Sequence, residues 1–319
     1  MSQRSAQNHA SRILITGASG FLGSNLVAHL SDSHAVYALS RRPGNTYVSD
    51  KHFSCDISDQ NRLMEVLQEV RPSTIIHLAS ANPSVNQGCR DADYIRTNIT
   101  GTFNLLQACL HTNLSPFFVH LSSYEALATH HGESPPDSGK YKIDASTPYS
   151  ATKAAASHLV SAWYRTYGLK TANVFCSNIY GPHQSNDKLI PQIIICSLQE
   201  EPIHIYGDGH EQRMWLYVSD LCRGVASLIK NRQAGNFSLL GQETLSINEI
   251  ITLTSEALKE KQLPLAPVIY RSSTLPGRSF SPKSLISPPS IPDWRPTTSF
   301  ADGIRTTIDG FCTMRQGAP

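Results

Sequence analysis

Two groups of residues in this 319-residue chain have the types and spacing to do chemistry together. The first is Tyr149-Ser-Ala-Thr-Lys153. Four residues along a helix place a phenol and an ammonium on one face. A phenol titrates near 10, too high for an efficient base at neutral pH. An ammonium about 4 Å away is worth on the order of 4 kcal/mol at an effective dielectric of 20, at most about three pKa units. The pair therefore reads as a proton acceptor for an alcohol that loses hydride. Taken alone, the same spacing also fits an ordinary surface helix.

The second group is Thr16-Gly17-Ala18-Ser19-Gly20-Phe21-Leu22-Gly23, between an apolar run and a helical pattern. Gly17 permits a tight turn, Gly20 lets the backbone approach a pyrophosphate, and Gly23 allows close helix–strand packing. The helix start offers free N–H groups and partial positive charge. Dinucleotide contacts are expected from Gly17, Ser19, Gly20, Phe21, Leu22 and Gly23. Where an NAD-binding chain places an acid for the ribose hydroxyl, this one has Ser40-Arg41-Arg42. Two guanidiniums suit a 2′-phosphate, so NADP is the first expectation and NAD the second. A solvated basic loop is the alternative. Asp56 with Ile57 is expected at the adenine, although Asp56 could instead cap the next helix. Leu78, Ala79 and Ser80 complete the expected cofactor contacts, with Tyr149 and Lys153.

Such residues need a scaffold. Strand patterns at Arg12–Thr16, His34–Leu39, Thr74–Leu78, Pro116–Leu121 and Thr171–Cys176 alternate with helical patterns. The helices are expected at Phe21–Leu30, Gln60–Val70, Asp93–His111 and Ser150–Tyr167. That order predicts an α/β fold, a Rossmann-type doubly wound parallel sheet with ligands beyond the strands' carboxyl ends. Past Asn178 the pattern changes, and the stretch from Leu263 to Pro296 is proline-rich and irregular. Helices resume at Ile247–Leu258 and Phe300–Phe311. The expected organisation is a flexible tail over 1–11, a dinucleotide-binding part over 12–178 with a later contribution near 213–240, and a smaller C-terminal substrate-binding lobe over 179–319.

Composition narrows the class. Hydrophobic residues make up 40% and charged residues 16%, which indicates a globular protein rather than a disordered one. A net charge of +2 is too balanced for a dedicated nucleic-acid or membrane-surface binder. The seven cysteines are odd in number, widely spaced and without a C-x-x-C pair, so neither a disulfide framework nor a zinc site is suggested. His130, His131 and Glu133 lack a further metal ligand and read as a solvated loop. No apolar run reaches membrane-helix length, and the polar start does not resemble a secretory signal, so a cytoplasmic protein is expected.

The glycine turn, Tyr149 with Lys153, and the run Leu121-Ser-Ser-Tyr-Glu125 together resemble the extended short-chain dehydrogenase/reductase family. Within it they resemble the nucleotide-sugar epimerases and 4,6-dehydratases. Three further stretches carry the likeness: TPYSATKAAASHLVSAWYRTYGL from Thr147, CSNIYGP with KLIP between Cys176 and Pro191, and IYGDGHEQRMWLYVSD from Ile205. The resemblance implies that Ser123 hydrogen-bonds the sugar 4-oxygen beside Tyr149. It also implies that Asn178 and Arg213 meet the substrate diphosphate and that Tyr206 packs on the base. Lys188 and Leu189 would line the nucleotide pocket, and Arg278 would lie near the phosphates. It further implies a homodimer through the helices at Asp93–His111 and Ser150–Tyr167.

Glu125 bears on the reaction type. Oxidation at C4 acidifies the C5 hydrogen, and a carboxylate there can remove it as the C6 hydroxyl leaves. The 4,6-dehydratases carry Glu here and the 4-epimerases do not, whereas UDP-glucuronate decarboxylases also do. The chain departs from the dTDP-glucose dehydratase pattern by having Tyr124 in place of the acid that protonates the leaving hydroxyl, so Tyr124 or water is expected to assist. The expectation is an NADP-dependent nucleotide-sugar 4,6-dehydratase-like enzyme. A 4-epimerase, a 4-ketoreductase, or a dinucleotide-binding sensor without chemistry are the alternatives.

Overall fold

Along the first strand, successive side chains leave opposite faces: Ile13 and Ile15 enter one hydrophobic core and Leu14 the other. A sheet buried on both faces follows from that single pattern. The computed structural model describes residues 11–42, 49, 51–83, 91–127, 145–272 and 287–316. Arg278, His130, His131 and Glu133, together with residues 1–10 of the expected tail, lie outside the described residues.

The chain runs β1 (Arg12–Thr16), α1 (Phe21–Leu30), β2 (Ala35–Ser40), β3 (Lys51–Ser54), α2 (Gln60–Val70) and β4 (Thr74–His77). It continues through α3 (Asp91–Tyr94), a π-helical stretch (Ile95–Gly101), α4 (Thr102–His111) and β5 (Phe117–Ser123). A short 3-10 turn (Tyr124–Ala126), α5 (Pro148–Tyr167), β6 (Thr171–Cys176), β7 (Asn178–Tyr180) and α6 (Leu189–Gln199) follow. Then come β8 (Ile203–Tyr206), β9 (Gln212–Tyr217), α7 (Val218–Asn231), β10 (Gly235–Leu239) and β11 (Glu243–Ser246). The last elements are α8 (Ile247–Glu260), β12 (Val268–Arg271) and α9 (Phe300–Gln316).

Seven strands form one parallel sheet in the order β10-β6-β5-β4-β1-β2-β3. The order reverses between β1 and β4, which opens a crevice at their carboxyl ends. α2, α4 and α5 supply the core on one face, with Leu63, Leu105 and Val160 fully buried. α1 and α7 cover the other. The fold is therefore the Rossmann-type doubly wound sheet. Two small sheets, β11-β9-β7 and β12-β8, build a lobe with α6, α8 and α9 above the carboxyl ends. Ile304 and Ile308 of α9 share a core with Ile13 and Ile15. Among the described residues no helix is long and apolar enough to cross a membrane.

The one long helix expected over Asp93–His111 is broken by its π-helical stretch. Two contacts explain the break. Asn98 is drawn inward to bond the loop after β4, and Gly101 presses on Ile57, where a Cβ would lie 2.4 Å from its Cδ1. An extra residue in one helical turn satisfies both.

Candidate active site

The glycine turn connects β1 to α1. Gly17 has φ +68°, and a Cβ there would stand 2.7 Å from the Ala79 amide nitrogen. At Gly23 a Cβ would lie 2.3 Å from the Gly17 carbonyl oxygen. Neither position accepts another residue without moving backbone. The first turn of α1 has no side-chain cap, so its N–H groups face a hollow of about 430 Å³ bordered by Ser19, Gly20 and Phe21. A turn with glycine at its tightest positions, an uncapped helix start and an adjoining hollow fit a dinucleotide pyrophosphate.

Thr16 and His77 face each other across the β1–β4 reversal. Thr16 Oγ1 accepts from the amides of Leu78 and Ala79, both at 3.2 Å, so its proton goes to His77 Nδ1 at 2.8 Å. Thr102 donates to the Asn98 carbonyl and hence accepts from His77 Nε2, at 2.9 Å. His77 is therefore neutral with its proton on Nε2. Burial and the Lys153 charge hold it down at about 3. This relay fixes the Leu78–Ala79 backbone expected beside the cofactor.

At the end of β2, Arg41 and Arg42 are exposed, and the Ser40 hydroxyl donates to the Arg42 carbonyl at 2.6 Å. Ser40 Oγ also meets His52 Nε2 at 2.8 Å, so its side chain is turned inward rather than toward a ligand. Asp59, not Asp56, caps α2. Asp56 accepts from the Ser58 amide and hydroxyl and pairs with Arg96 at 3.6 Å. These Ser58 bonds, Arg96 and Arg41 lower its carboxyl against burial, which is the largest influence and raises it.

α5 starts on a capping box. Thr147 accepts from the Ser150 amide, the Ser150 hydroxyl accepts from the Thr147 amide, and Pro148 occupies the first helical position. The helix begins there, with Tyr149 in its first turn and Lys153 one turn on. Both line a cleft of about 490 Å³ with Ser123 and Glu125 from the end of β5 and Cys176 from β6. Leu22, Leu78 and Ser80 are also on its wall, as are Asn178, Lys188, Leu189 and Arg213. Gln184 borders both this cleft and the hollow at the glycine turn.

The electrostatics differ from the sequence expectation in one respect. Lys153 Nζ donates to the Leu121 carbonyl at 2.6 Å, and burial lowers its ammonium to about 8. Tyr149 is raised above the usual phenol value, first by burial and then by Glu125 and Cys176, while its hydrogen bond with Ser123 opposes the rise. In this setting the phenol is protonated, and Ser123 is its hydroxyl partner.

Tyr124 is fully buried in an apolar cluster with Phe175 and Met214 and is not on the cleft wall. The 3-10 turn that follows β5 buries Tyr124 and leaves Glu125 on the cleft wall beside Ser123. Burial pushes the Tyr124 phenol up to about 12, against the lowering influence of the Arg213 guanidinium. The expected assistance to a leaving group is not supported by this placement. Tyr206 is 67% exposed on β8 and does not line the cleft. Arg213 lies between two carboxylates, with NH1 3.5 Å from Glu125 Oε1 and NH2 2.5 Å from Glu211 Oε1.

The sequence reading missed three residues. Glu211 lines the cleft and holds Arg213. Asn98, 2% exposed, accepts from the Ala81 amide at 2.8 Å and donates to Thr152 at 3.0 Å, so it ties the loop after β4 to the helix carrying Tyr149. His77 has the relay described above. A buried polar residue inside an apolar strand or helix is the signal that could have found Asn98 and His77.

The NAD dependent epimerase/dehydratase family model matches residues 13–239. A dTDP-glucose 4,6-dehydratase of Neisseria gonorrhoeae is 33% identical over 96% of this chain and 98% of its own length. A protein named dTDP-glucose 4,6-dehydratase 1 from Escherichia coli K12 is 29% identical over 94% of this chain and 92% of its own. Among solved structures, UDP-glucose 4-epimerase of Thermus thermophilus in complex with NAD superposes with a TM-score of 0.79 at 24% identity. That match covers 97% of this chain and all of the other. At under a quarter identity it speaks for the fold.

Proposed function

Because the chain belongs to the NAD-dependent epimerase/dehydratase family, we propose that it is a nucleotide-sugar 4,6-dehydratase that prefers NADP. The observation that carries the reading is one cleft holding Ser123, Tyr149 and Lys153 together with the carboxylate of Glu125. An enzyme that only moves hydride at C4 has no use for that carboxylate. Tyr149 takes the proton of the sugar 4-hydroxyl while Ser123 orients it. A nicotinamide dinucleotide held at the glycine turn of Gly17, Gly20 and Gly23 would supply acceptance of hydride from C4 and its return to C6. Glu125 removes the C5 proton made acidic by the 4-ketone, and the C5 electrons expel the C6 hydroxyl. With Tyr124 facing away, the proton Glu125 has just received is the one at hand for the departing hydroxyl, which leaves as water, and the enolate left once C6 has regained hydride takes a solvent proton at C5.

Two finer assignments go with this reading. Arg41 and Arg42, exposed at the end of β2, support NADP. The exposed side chains of Ile95, Phe103, Tyr164 and Tyr167 form an apolar surface on α5 and the helical stretch ending in α4, which supports a homodimer through these helices. The test of the reaction is incubation with UDP-, dTDP-, GDP- and CDP-hexoses and mass analysis for a 4-keto product lighter by one water. Glu125→Gln should abolish that loss and leave isotope exchange at C4 in place. Survival of both reactions in the variant removes the role given to Glu125. An epimerised product of unchanged mass would make the protein a 4-epimerase.

A further inference from the structure

Glu211, Arg213 and Trp215 are alternate residues entering and following β9, so they leave one face of it, and all three line the cleft. From the opposite wall the turn after β5 brings Glu125 to the same guanidinium. The two carboxylates share it unequally: Glu211 is at 2.5 Å and Glu125 at 3.5 Å. A carboxylate alone beside an arginine closes to about 2.7–2.9 Å and commonly takes two of its nitrogens. Glu125 stops short of that closure. Glu211, at the shorter distance, is the carboxylate that anchors the guanidinium.

Resting on the dehydratase reading above, we propose that Glu211 is a positioning residue for the C5 proton transfer. It holds the NH2 edge of Arg213 and so keeps the guanidinium from closing on Glu125. Glu125 is then aimed by a long contact and remains free to take a proton from carbon. The charge balance fits the same role. When Glu125 gains its proton, Arg213 keeps Glu211 as counter-ion, and no unpaired cation is left in a half-buried site.

Glu211→Gln removes the charge at nearly constant size. A crystal structure of the variant should show Arg213 moved onto Glu125 at about 2.8 Å; a contact still at the wild-type 3.5 Å overturns the proposal. With whichever nucleotide sugar the wild type converts, deuterium uptake at C5 from heavy water should slow at least about tenfold at saturating substrate, while isotope exchange at C4 stays within about twofold. Equal loss of both reactions marks a structural role and overturns the proposal. Glu211→Asp, which restores the charge, should recover much of the C5 rate. In an Arg213→Gln background Glu211→Gln should add nothing, and additive losses overturn an action through Arg213. A wild type that converts none of the nucleotide sugars overturns the dehydratase reading instead, and the crystallographic distance still decides whether Glu211 restrains Arg213.

Discussion

The Thr16 hydroxyl donates to His77 Nδ1 at 2.8 Å, across the point where the strand order of the main sheet reverses. The bond makes a buried, neutral imidazole part of the floor beneath the glycine turn. His77 titrates at about 3 in the folded chain against 6.5 when free. Between those values the unfolded chain holds more protons, so the stability His77 contributes is intact above pH 6.5 and is lost as pH falls toward 3. His120, also buried and pushed well below its usual value by burial, Lys153 and His77, acts in the same direction. Denaturant unfolding at several pH values should show the wild type losing stability over that window and His77→Gln losing less. At neutral pH the variant should be weaker by about 1–3 kcal/mol, because two buried hydroxyls lose their partner.

Removing the Tyr149 hydroxyl should separate chemistry from folding. Tyr149→Phe deletes the proton acceptor but keeps the ring against Tyr94, whose centroid is 6.0 Å away. Turnover is expected to fall about 10²–10⁴-fold, with melting temperature nearly unchanged. A variant that turns over like wild type would take Tyr149 out of the mechanism.

Cofactor choice is testable at the end of β2. Arg41→Ala with Arg42→Ala should weaken NADPH binding at least about tenfold, since each guanidinium offers charge-assisted bonds to the 2′-phosphate. NADH binding should hardly change. Fluorescence titration of both reduced cofactors measures this, and equal affinities in the wild type would refute the preference for NADP.

The exposed aromatics of α4 and α5 make a prediction about assembly. Trp163 packs edge-on against Phe103 at 5.7 Å and against Tyr167 at 5.4 Å, which gives the surface a firm aromatic base. Tyr164→Arg with Tyr167→Arg places two charges on that patch and should shift the protein from dimer to monomer by light scattering. A wild type that is monomeric at all accessible concentrations would rule the arrangement out.

The glycine turn and the Tyr149–Lys153 spacing were readable because each is local: one needs residues without side chains, the other a single helical turn. Strand and helix alternation up to β6 was readable for the same reason, since periods of two and 3.6 survive in short windows. Contacts that cross the chain were not readable. Glu125 meets Arg213 from 88 positions away, and His77 meets Thr16 from 61. β7 has three residues and β11 four, too short to show a period, so the small sheet that delivers Arg213 and Glu211 was hidden. Lys153 turned to the Leu121 carbonyl instead of simply priming Tyr149, because a buried ammonium takes the nearest acceptor.

Asp220, fully buried at the start of α7, accepts from the amides of Thr297 and Thr298 just before α9. Together with the apolar residues of α9 that reach the first strand's core, this welds the tail end of the polypeptide to its beginning. Among the described residues the small lobe is thus clamped to the main sheet by its final helix. A fragment cut before Thr297 would lose α9 and bare an oily stripe on the main sheet, so it is expected to clump rather than stay in solution.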